Sequence, residues 1–267
     1  MNAGAHERRG PVLVLGGTSE ARALAAELVR HGVHVVSSLA GRVRAPRLPD
    51  GEVRIGGFGG ARGLATWLRE TGVRCVVDAT HPFASRISQS AASGTGEAGV
   101  PLLRLERAGW HAGAADDWRW AGSLDEAAQL CARLGTRIFL TTGRQGLAAF
   151  AGLDQPWFLI RCVDPPDPPL PARCEVVLDR GPYTVDGEID LMRQHGIDLL
   201  VTKDSGGTYT AAKLDAARRL GVPVVVVRRP SRPRVHTVET VDEAAAWVLA
   251  HAGAIGKASK DEREDGI

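Results

Sequence analysis

Residues 11–38 read PVLVLGGTSEARALAAELVRHGVHVVSS, the pattern of a strand, a tight turn, a helix and a second strand. An apolar run leads into Gly16 and Gly17, and an alanine-rich segment with helical spacing then ends at Gly32. Glycine often closes a helix because it adopts the left-handed conformation without strain. The run that begins at Val33 is again rich in β-branched residues, as expected for a strand covered by helices on both faces. This stretch therefore predicts a parallel α/β fold.

The same combination of a helix-ending glycine and an apolar run recurs at Gly72, Gly99, Gly196 and Gly221. Repetition of such units is typical of a doubly wound parallel sheet. The predicted strands lie at 11–15, 33–38, 52–55, 73–77 and 100–104, and then at 137–141, 157–161, 175–178, 198–202 and 222–228. We predict an α/β protein with two Rossmann-like halves, whose mainly parallel sheets face a central cleft.

The division of the chain follows from one stretch, 109–117, that has no strand pattern and is interpreted as a hinge. We expect an N-terminal dinucleotide-binding domain at 1–113 and a C-terminal Rossmann-like domain at 114–252. The tail at 253–267 is charged and nearly free of apolar residues, so we expect it to be disordered.

Composition argues against several classes of protein. The formal charge of +2 is nearly balanced, which does not favour nucleic acid as a partner. No apolar stretch approaches the roughly 20 residues that span a bilayer, and the N-terminus has no signal-peptide pattern. The four cysteines form no C-x-x-C pair. We expect a cytoplasmic protein with no membrane partner, no nucleic-acid partner and no metal site.

The glycine turn after the first strand has the residues of a phosphate site. Gly16 and Gly17 permit close approach of the backbone, and Thr18, Ser19 and Glu20 open the helix. The free N–H groups and the positive end of a helix suit a phosphate. The alternative is an ordinary strand-to-helix turn with a serine cap, since the full G-x-G-x-x-G pattern is absent.

The end of the second predicted strand indicates which dinucleotide is bound. Ser37 and Ser38 are followed by Gly41 and Arg42, with no acidic residue before Asp50. An acid here holds the free ribose of NADH, whereas an arginine accommodates the 2′-phosphate of NADPH. The segment favours NADPH, and the alternative is a solvated basic loop.

Three further polar clusters follow predicted strands. His81 lies in DATHPFA and could donate a proton or orient a substrate, or merely bond its own turn. TTGRQG and TKDSGGT resemble anion-holding turns, each with a cation nearby. Tyr209 and Lys213 form a Y-x-x-x-K pattern, but the glycine spacing after the first strand does not match that of short-chain dehydrogenases.

Four segments in this order, LGGTSEAR, DATHPFA, TTGRQGL and TKDSGGTYTAAKLDAA, resemble the precorrin-6A reductase family over residues 12–249. The resemblance implies an enzyme that uses NADPH to reduce one carbon–carbon double bond of the precorrin-6A macrocycle, giving precorrin-6B in cobalamin biosynthesis. It implies catalytic roles for His81 and Lys203. The implied cofactor-binding residues are Gly16, Gly17, Thr18, Ser19, Glu20, Ser38, Gly41, Arg42, Thr142, Gly143 and Arg144.

The implied substrate is a tetrapyrrole with many carboxylates, so we expect local basic groups around it. The expected substrate-binding residues are Arg86, Arg161, Ser205, Gly206 and Lys213. Transient contact with neighbouring enzymes of the pathway is also expected. Three alternatives stay open: a cobalt-precorrin-6A reductase that uses NADH, a two-domain sugar-nucleotide-binding transferase, and a regulatory nucleotide-binding module.

Overall fold

The computed structural model describes residues 10–41 and 47–254. Arg42 and residues 255–267 of the expected tail lie outside the described residues. The strands are β1 (Val12–Leu15), β2 (Val35–Leu39), β3 (Glu52–Ile55), β4 (Cys75–Asp78), β5 (Leu102–Leu105), β6 (Trp118–Ala121), β7 (Arg137–Leu140), β8 (Trp157–Cys162), β9 (Cys174–Leu178), β10 (Leu199–Lys203), β11 (Val224–Val227) and β12 (His236–Val238). The helices are α1 (Ser19–Arg30), α2 (Gly60–Thr71), α3 (Ser85–Ala98), α4 (Leu124–Leu134), α5 (Val185–Gln194), α6 (Ala212–Leu220) and α7 (Val241–Ala254), with a 3-10 helix at Arg144–Phe150.

The first sheet has the strand order β12-β5-β4-β1-β2-β3, and all of its pairings are parallel. Read from β3, this is the 3-2-1-4-5-6 order of doubly wound dinucleotide-binding sheets. The four residues of β1 are at most 1% exposed, because helices cover both faces of the sheet. The strand order reverses beside β1, between β1 and β4, which creates a switch point.

The second sheet repeats this arrangement in the order β6-β11-β10-β7-β8-β9, again with parallel pairing throughout. Its central strand is β7, and its switch point lies between β7 and β10. The predicted α/β class and the two similar parallel sheets are therefore confirmed. In both sheets the predicted strands at these central positions match the observed ones within two residues.

The chain divides into two compact units at places other than those predicted. One unit contains residues up to Arg107 and those from Ser231 onward, and the other spans Ala108–Pro230. Boundaries at 113 and 252 are therefore corrected, because β12 pairs with β5 of the first sheet and α7 packs beside α1. Ala244 and Val248 of α7 are fully buried in the core of the first unit.

The correction has a physical cause. Strand β12 has only three residues, and two of them are exposed, so it lacks the apolar run by which the other strands were recognised. Strand β6 alternates polar and apolar residues and forms an edge of the second sheet. It begins directly after the stretch at 109–117 that the sequence marks as a hinge. Within the described residues, no helix is long and apolar enough to cross a membrane.

Candidate functional site

Each unit brings two of the singled-out segments together at its switch point. In the first unit the GGTSE turn follows β1 and the segment that contains His81 follows β4. In the second unit the Thr142–Arg144 segment follows β7. The Lys203–Gly206 segment begins with the last residue of β10 and continues into the turn after it. Crevices at the carboxyl ends of such strands are where open α/β sheets bind ligands.

In the first unit, the turn after β1 and the segment after β4 are in close contact at Gly16. This residue has a φ of +117°, and a Cβ placed on it would lie 2.7 Å from the carbonyl oxygen of Ala79. The Thr18 hydroxyl donates to the same Ala79 oxygen at 2.9 Å and accepts from the backbone N–H of Ala21 at 3.1 Å. Gly16 and Thr18 thus hold the turn in place, and the cap is threonine rather than the serine suggested by the sequence.

The start of α1 can receive an anion. The first N–H groups of a helix have no acceptor within the helix, and Gly17 is exposed beside them. Ser19 donates to Glu20 at 3.0 Å, and a Glu20 carboxylate oxygen lies 2.6 Å from Arg107 Nη1. Glu20 is therefore neutralised by an arginine and does not leave a free negative charge at the helix end.

A small pocket of the first unit lies beside this turn. Its walls come from the turn, from the segment after β4 and from the end of β5. The residues that line it are Thr18, Glu20, Ala79, Thr80, Pro82, Leu105, Glu106 and Arg107. This lining contains two of the residues predicted to bind a cofactor, Thr18 and Glu20, and it adds Arg107.

Ser38 and Gly41 lie where the sequence places them, at the end of β2. Ser38 is 7% exposed, and its carbonyl accepts from the N–H of Gly16 at 3.0 Å. Gly41 has a φ of +69°. A neighbour that sequence reasoning missed is Arg54, which is paired in register with Ser38. Its guanidinium donates to the carbonyls of Gly56 and Gly57 and stacks 3.9 Å from the centre of the Phe58 ring.

His81 bonds to its own turn. Its Nδ1 accepts from the backbone N–H of Phe83 at 3.2 Å, which requires the ring proton to be on Nε2. The residue is partly exposed in the segment after β4.

A buried ion network, also missed from the sequence, lies below the segment that contains His81. Asp78 is fully buried at the end of β4, where it accepts from the Thr80 hydroxyl at 2.6 Å and lies 3.0 Å from Arg232 Nη2. Arg232 also reaches Glu106 at 3.0 Å. Burial lowers the pKa of Arg232, an effect opposed by the charge of Asp78. No local pattern signals this pairing, because Arg232 is 154 residues away in the sequence.

Arg86 lies apart from these contacts, exposed in the first turn of α3. It borders an open groove of the first unit. The other residues that line this groove are Ser85, Gln89, Ser90, Ser231 and Pro233.

In the second unit, Thr142 and Gly143 form the turn after β7, and Arg144 opens the 3-10 helix. Gly143 has a φ of +75°, so this turn depends on glycine. Thr142 is 5% exposed, and its hydroxyl has no hydrogen-bond partner among the described residues.

Lys203 ends β10, and burial lowers the pKa of its ammonium group below the usual range for lysine. The next residue, Asp204, accepts from the backbone N–H of Trp110 at 3.0 Å and lies 3.2 Å from Arg229 Nε. Ser205 shares a hydrogen bond with the Thr210 hydroxyl at 3.2 Å. Asp204 is thus occupied inside the protein, whereas Lys203 stays partly exposed at the strand end.

Tyr209 and Lys213 do not form an acid–base pair. The Tyr209 hydroxyl donates to the carbonyl of Gly181 at 2.7 Å. Lys213 is 4% exposed, and its ammonium donates to the Thr210 carbonyl at 2.6 Å and lies 4.8 Å from the centre of the Trp110 ring. The two side chains anchor different parts of the unit.

Arg161 is also engaged within the second unit. Its Nη1 lies 2.6 Å from a carboxylate oxygen of Glu188, which is 2% exposed, and its guanidinium stacks 3.7 Å from the centre of the Tyr183 ring. Its charge is already balanced, so the geometry gives no support to the prediction that Arg161 binds a substrate carboxylate.

The fold and the two switch points place the chain among the doubly wound α/β proteins. Comparison with known proteins narrows this class. Residues 11–249 match the family model described as precorrin-6x reductase CbiJ/CobK, and the chain belongs to that family of reductases.

Relatives of high identity carry a consistent name. A protein of Rhodococcus erythropolis named precorrin-6A reductase is 56% identical over 239 residues, covering 89% of this chain and 96% of the relative. A Mycobacterium tuberculosis protein of the same name is 55% identical over 240 residues, with the same coverage. A solved structure titled CobK precorrin-6A reductase superposes with a TM-score of 0.84 at 40% identity, covering 91% of this chain and 97% of that one. More distant relatives, 31–33% identical, are named cobalt-precorrin-6A reductase.

Proposed function

We propose that this protein reduces precorrin-6A in cobalamin biosynthesis, with NADPH as the hydride donor. The observation that carries the proposal is the 55–56% identity to proteins named precorrin-6A reductase, over 96% of their length. The metal-free substrate is preferred to the cobalt-containing one because the relatives with the cobalt name are only 31–33% identical. A sugar-nucleotide transferase or a regulatory module is not favoured by any of these relatives.

The first unit would bind the cofactor. The GGTSE turn fits a diphosphate, because Gly17 is exposed and the first N–H groups of α1 can donate to an anion. Ser38 and Gly41 lie at the neighbouring strand end, and Arg42, assigned from the sequence, would pair with the 2′-phosphate. When bound, the nicotinamide supplies the hydride. The residues of this chain hold it in register with the macrocycle.

The second unit would contribute charge and a proton. Arg144 follows β7 and Arg86 is exposed in the first turn of α3, so these two are the basic groups proposed to meet substrate carboxylates, whereas Lys203 ends the neighbouring strand β10. Reduction adds a hydride to one carbon of the conjugated ring and requires a proton elsewhere on it. Burial makes Lys203 a stronger acid than an ordinary lysine, so we assign it as the proton donor. His81 Nε2 is the second candidate donor.

Titration with NADPH and NADH, followed by nicotinamide fluorescence, tests the cofactor. We expect selective binding of NADPH, and we expect Arg42→Ala to weaken NADPH about ten- to a hundredfold while leaving NADH nearly unchanged, since only the phosphate contact is lost. Equal losses for both cofactors would remove Arg42 from this role.

Turnover with metal-free and with cobalt-containing precorrin-6A then tests the substrate. We expect NADPH oxidation with the metal-free compound and formation of precorrin-6B. Faster turnover of the cobalt compound would favour the other branch, and binding of a uridine diphosphate sugar without NADPH would favour a transferase. The cytoplasmic location and the transient contacts with pathway enzymes stay predictions.

A further inference from the structure

Trp110 makes two hydrogen bonds to the segment 203–210 of the second unit, hereafter the lysine loop, and a third contact just beyond it. Its backbone N–H donates to Asp204 Oδ1 at 3.0 Å. Its indole Nε1 donates to the Gly207 carbonyl at 2.8 Å. The ring faces the Lys213 ammonium, just beyond the loop, at 4.8 Å. Trp110 is half-buried, and the only donor of its side chain is bonded to a carbonyl of the loop, so it is placed to hold that loop.

The lysine loop needs such support because of its own sequence. Gly206 and Gly207 have φ values of +65° and +67°, and two successive glycines in this region leave the backbone many other conformations. The segment before Trp110 packs directly on the loop, since a Cβ at Gly206 would lie 2.2 Å from the Ala108 carbonyl oxygen. The contacts of Trp110 therefore select one conformation of the backbone that follows Lys203.

We propose that Trp110 is a positioning residue that fixes the lysine loop, and with it Lys203 and Ser205, through the indole N–H bond to Gly207. The kinetic part of this inference rests on the proposed reductase function, whereas the structural part does not. Trp110 is not itself proposed to touch the reactants. Loss of the bond changes the placement of Lys203, and small misplacements of a reacting group lower turnover strongly.

Trp157 offers a matched control in the same unit. It begins β8, which is separated from β10 by β7 in the same parallel sheet, and it also carries a cation on its ring, with Arg137 at 4.3 Å. Trp110→Phe keeps an aromatic face for Lys213 and removes the N–H donor, and Trp157→Phe makes the same chemical change away from the lysine loop. Benzothienylalanine at position 110, which replaces the indole N–H by sulfur in the same shape, gives a second variant in case Trp110→Phe fails to fold.

Two measurements on the full chain test the proposal. Hydrogen–deuterium exchange of the peptide spanning 203–210 is expected to accelerate in both position-110 variants and to stay unchanged in Trp157→Phe. With precorrin-6A, the position-110 variants are expected to lose about tenfold in kcat, with the KM for NADPH changed by less than about twofold.

Unchanged exchange of the lysine loop in the variants at position 110 would overturn the proposal, as would an equal loss of kcat in Trp157→Phe. If the wild-type chain does not reduce precorrin-6A, the proposed function fails, but the exchange experiment still decides whether Trp110 holds the loop.

Discussion

Asp78 and Asp204 occupy equivalent places in the two units. Asp78 ends β4, beside the central strand β1, and Asp204 directly follows β10, beside the central strand β7. Both side chains are buried. Each is paired with an arginine from the segment around residue 230, Asp78 with Arg232 and Asp204 with Arg229. Carboxylates after such strands are easily taken for ligand-binding groups. Here they are structural, because a buried charge is tolerated only when it is paired and hydrogen-bonded.

Lys203 gives a prediction about pH. Its pKa is lowered by burial, so the ammonium loses its proton below the usual lysine range, and activity that needs the charged form falls as pH rises through that lowered value. Arginine keeps its charge at high pH but does not release its proton, so Lys203→Arg is expected to lose most of kcat, and its residual activity is expected to lack the alkaline limb that Lys203 sets.

The measurement is the pH profile of precorrin-6A reduction for both proteins, with NADPH binding as the control. We expect the affinity for NADPH to stay unchanged in the variant. An alkaline limb at the same pH in both proteins would show that another group sets it.

The turn before α1 contains the two glycines that the sequence predicts, but the structure gives each of them a different role. The glycines of this turn are predicted to allow a phosphate to approach. In the structure Gly16 first allows another part of the chain to approach, since the Ala79 carbonyl fills the space a side chain would need. Gly17 is the glycine whose exposure fits the predicted role.

Gly16→Ala therefore has a defined expected effect. The added methyl meets backbone atoms of Ala79 and Thr80 at 2.7–2.9 Å and also imposes a φ of +117° on alanine. Gly32→Ala is the matched control, because Gly32 has a φ of +71° with nothing within 4 Å of a new Cβ. We expect a loss of about 1 kcal/mol of unfolding free energy for Gly32→Ala, from the left-handed backbone alone.

For Gly16→Ala we expect a loss of about 3 kcal/mol or more, since steric overlap adds to the backbone strain. Urea denaturation of both variants measures the difference. Equal losses would mean that the two loops can separate without cost at Gly16.

Elements with a strong local pattern could be predicted, and elements that depend on distant partners could not. The predicted strands were found because most of them are short apolar runs that follow a helix-ending glycine or lead into a turn. Strand β12 has no such run and is stabilised by pairing with β5, from which the whole of the second unit separates it in the sequence. The turns after β1, β4, β7 and β10 were likewise located from the sequence, whereas Trp110, Arg107 and Arg232 are identified only by contacts that the fold creates.

The chain forms part of the first unit, then the whole of the second, and then returns to the first sheet. Residues from Ser231 onward supply β12 and α7 to the first unit, and Arg232 binds them to the buried Asp78. Through this ion pair, the segment that begins at Ser231 is fixed to the core formed by the N-terminal part of the chain. Its contribution to stability should therefore exceed that of a pair on the surface.

Arg232→Met tests this role against Arg69→Met. Arg232 has a side chain 5% exposed and pairs with a fully buried carboxylate, so its loss leaves Asp78 without its closest cation and is expected to lower the unfolding free energy by about 3–5 kcal/mol. Arg69 pairs with Glu97 in the same unit with 49% of its side chain exposed, and its replacement is expected to change stability by less than about 1 kcal/mol.

Thermal and urea unfolding of both variants provide the comparison. A loss for Arg232→Met no greater than that for Arg69→Met would mean that Arg104, whose Nε lies 3.5 Å from Asp78, is sufficient to neutralise the carboxylate.

The return of the chain to its first sheet also sets the order of events during synthesis. Ribosomes add about 5–20 residues per second, so on the order of ten seconds separate the emergence of Arg107 from that of β12. During that time the nascent first unit lacks its edge strand and the helix that covers Leu24 and Leu103. The second unit, contiguous in sequence, can fold first while still tethered to the ribosome. For this protein the N-terminal part is made first and completed last.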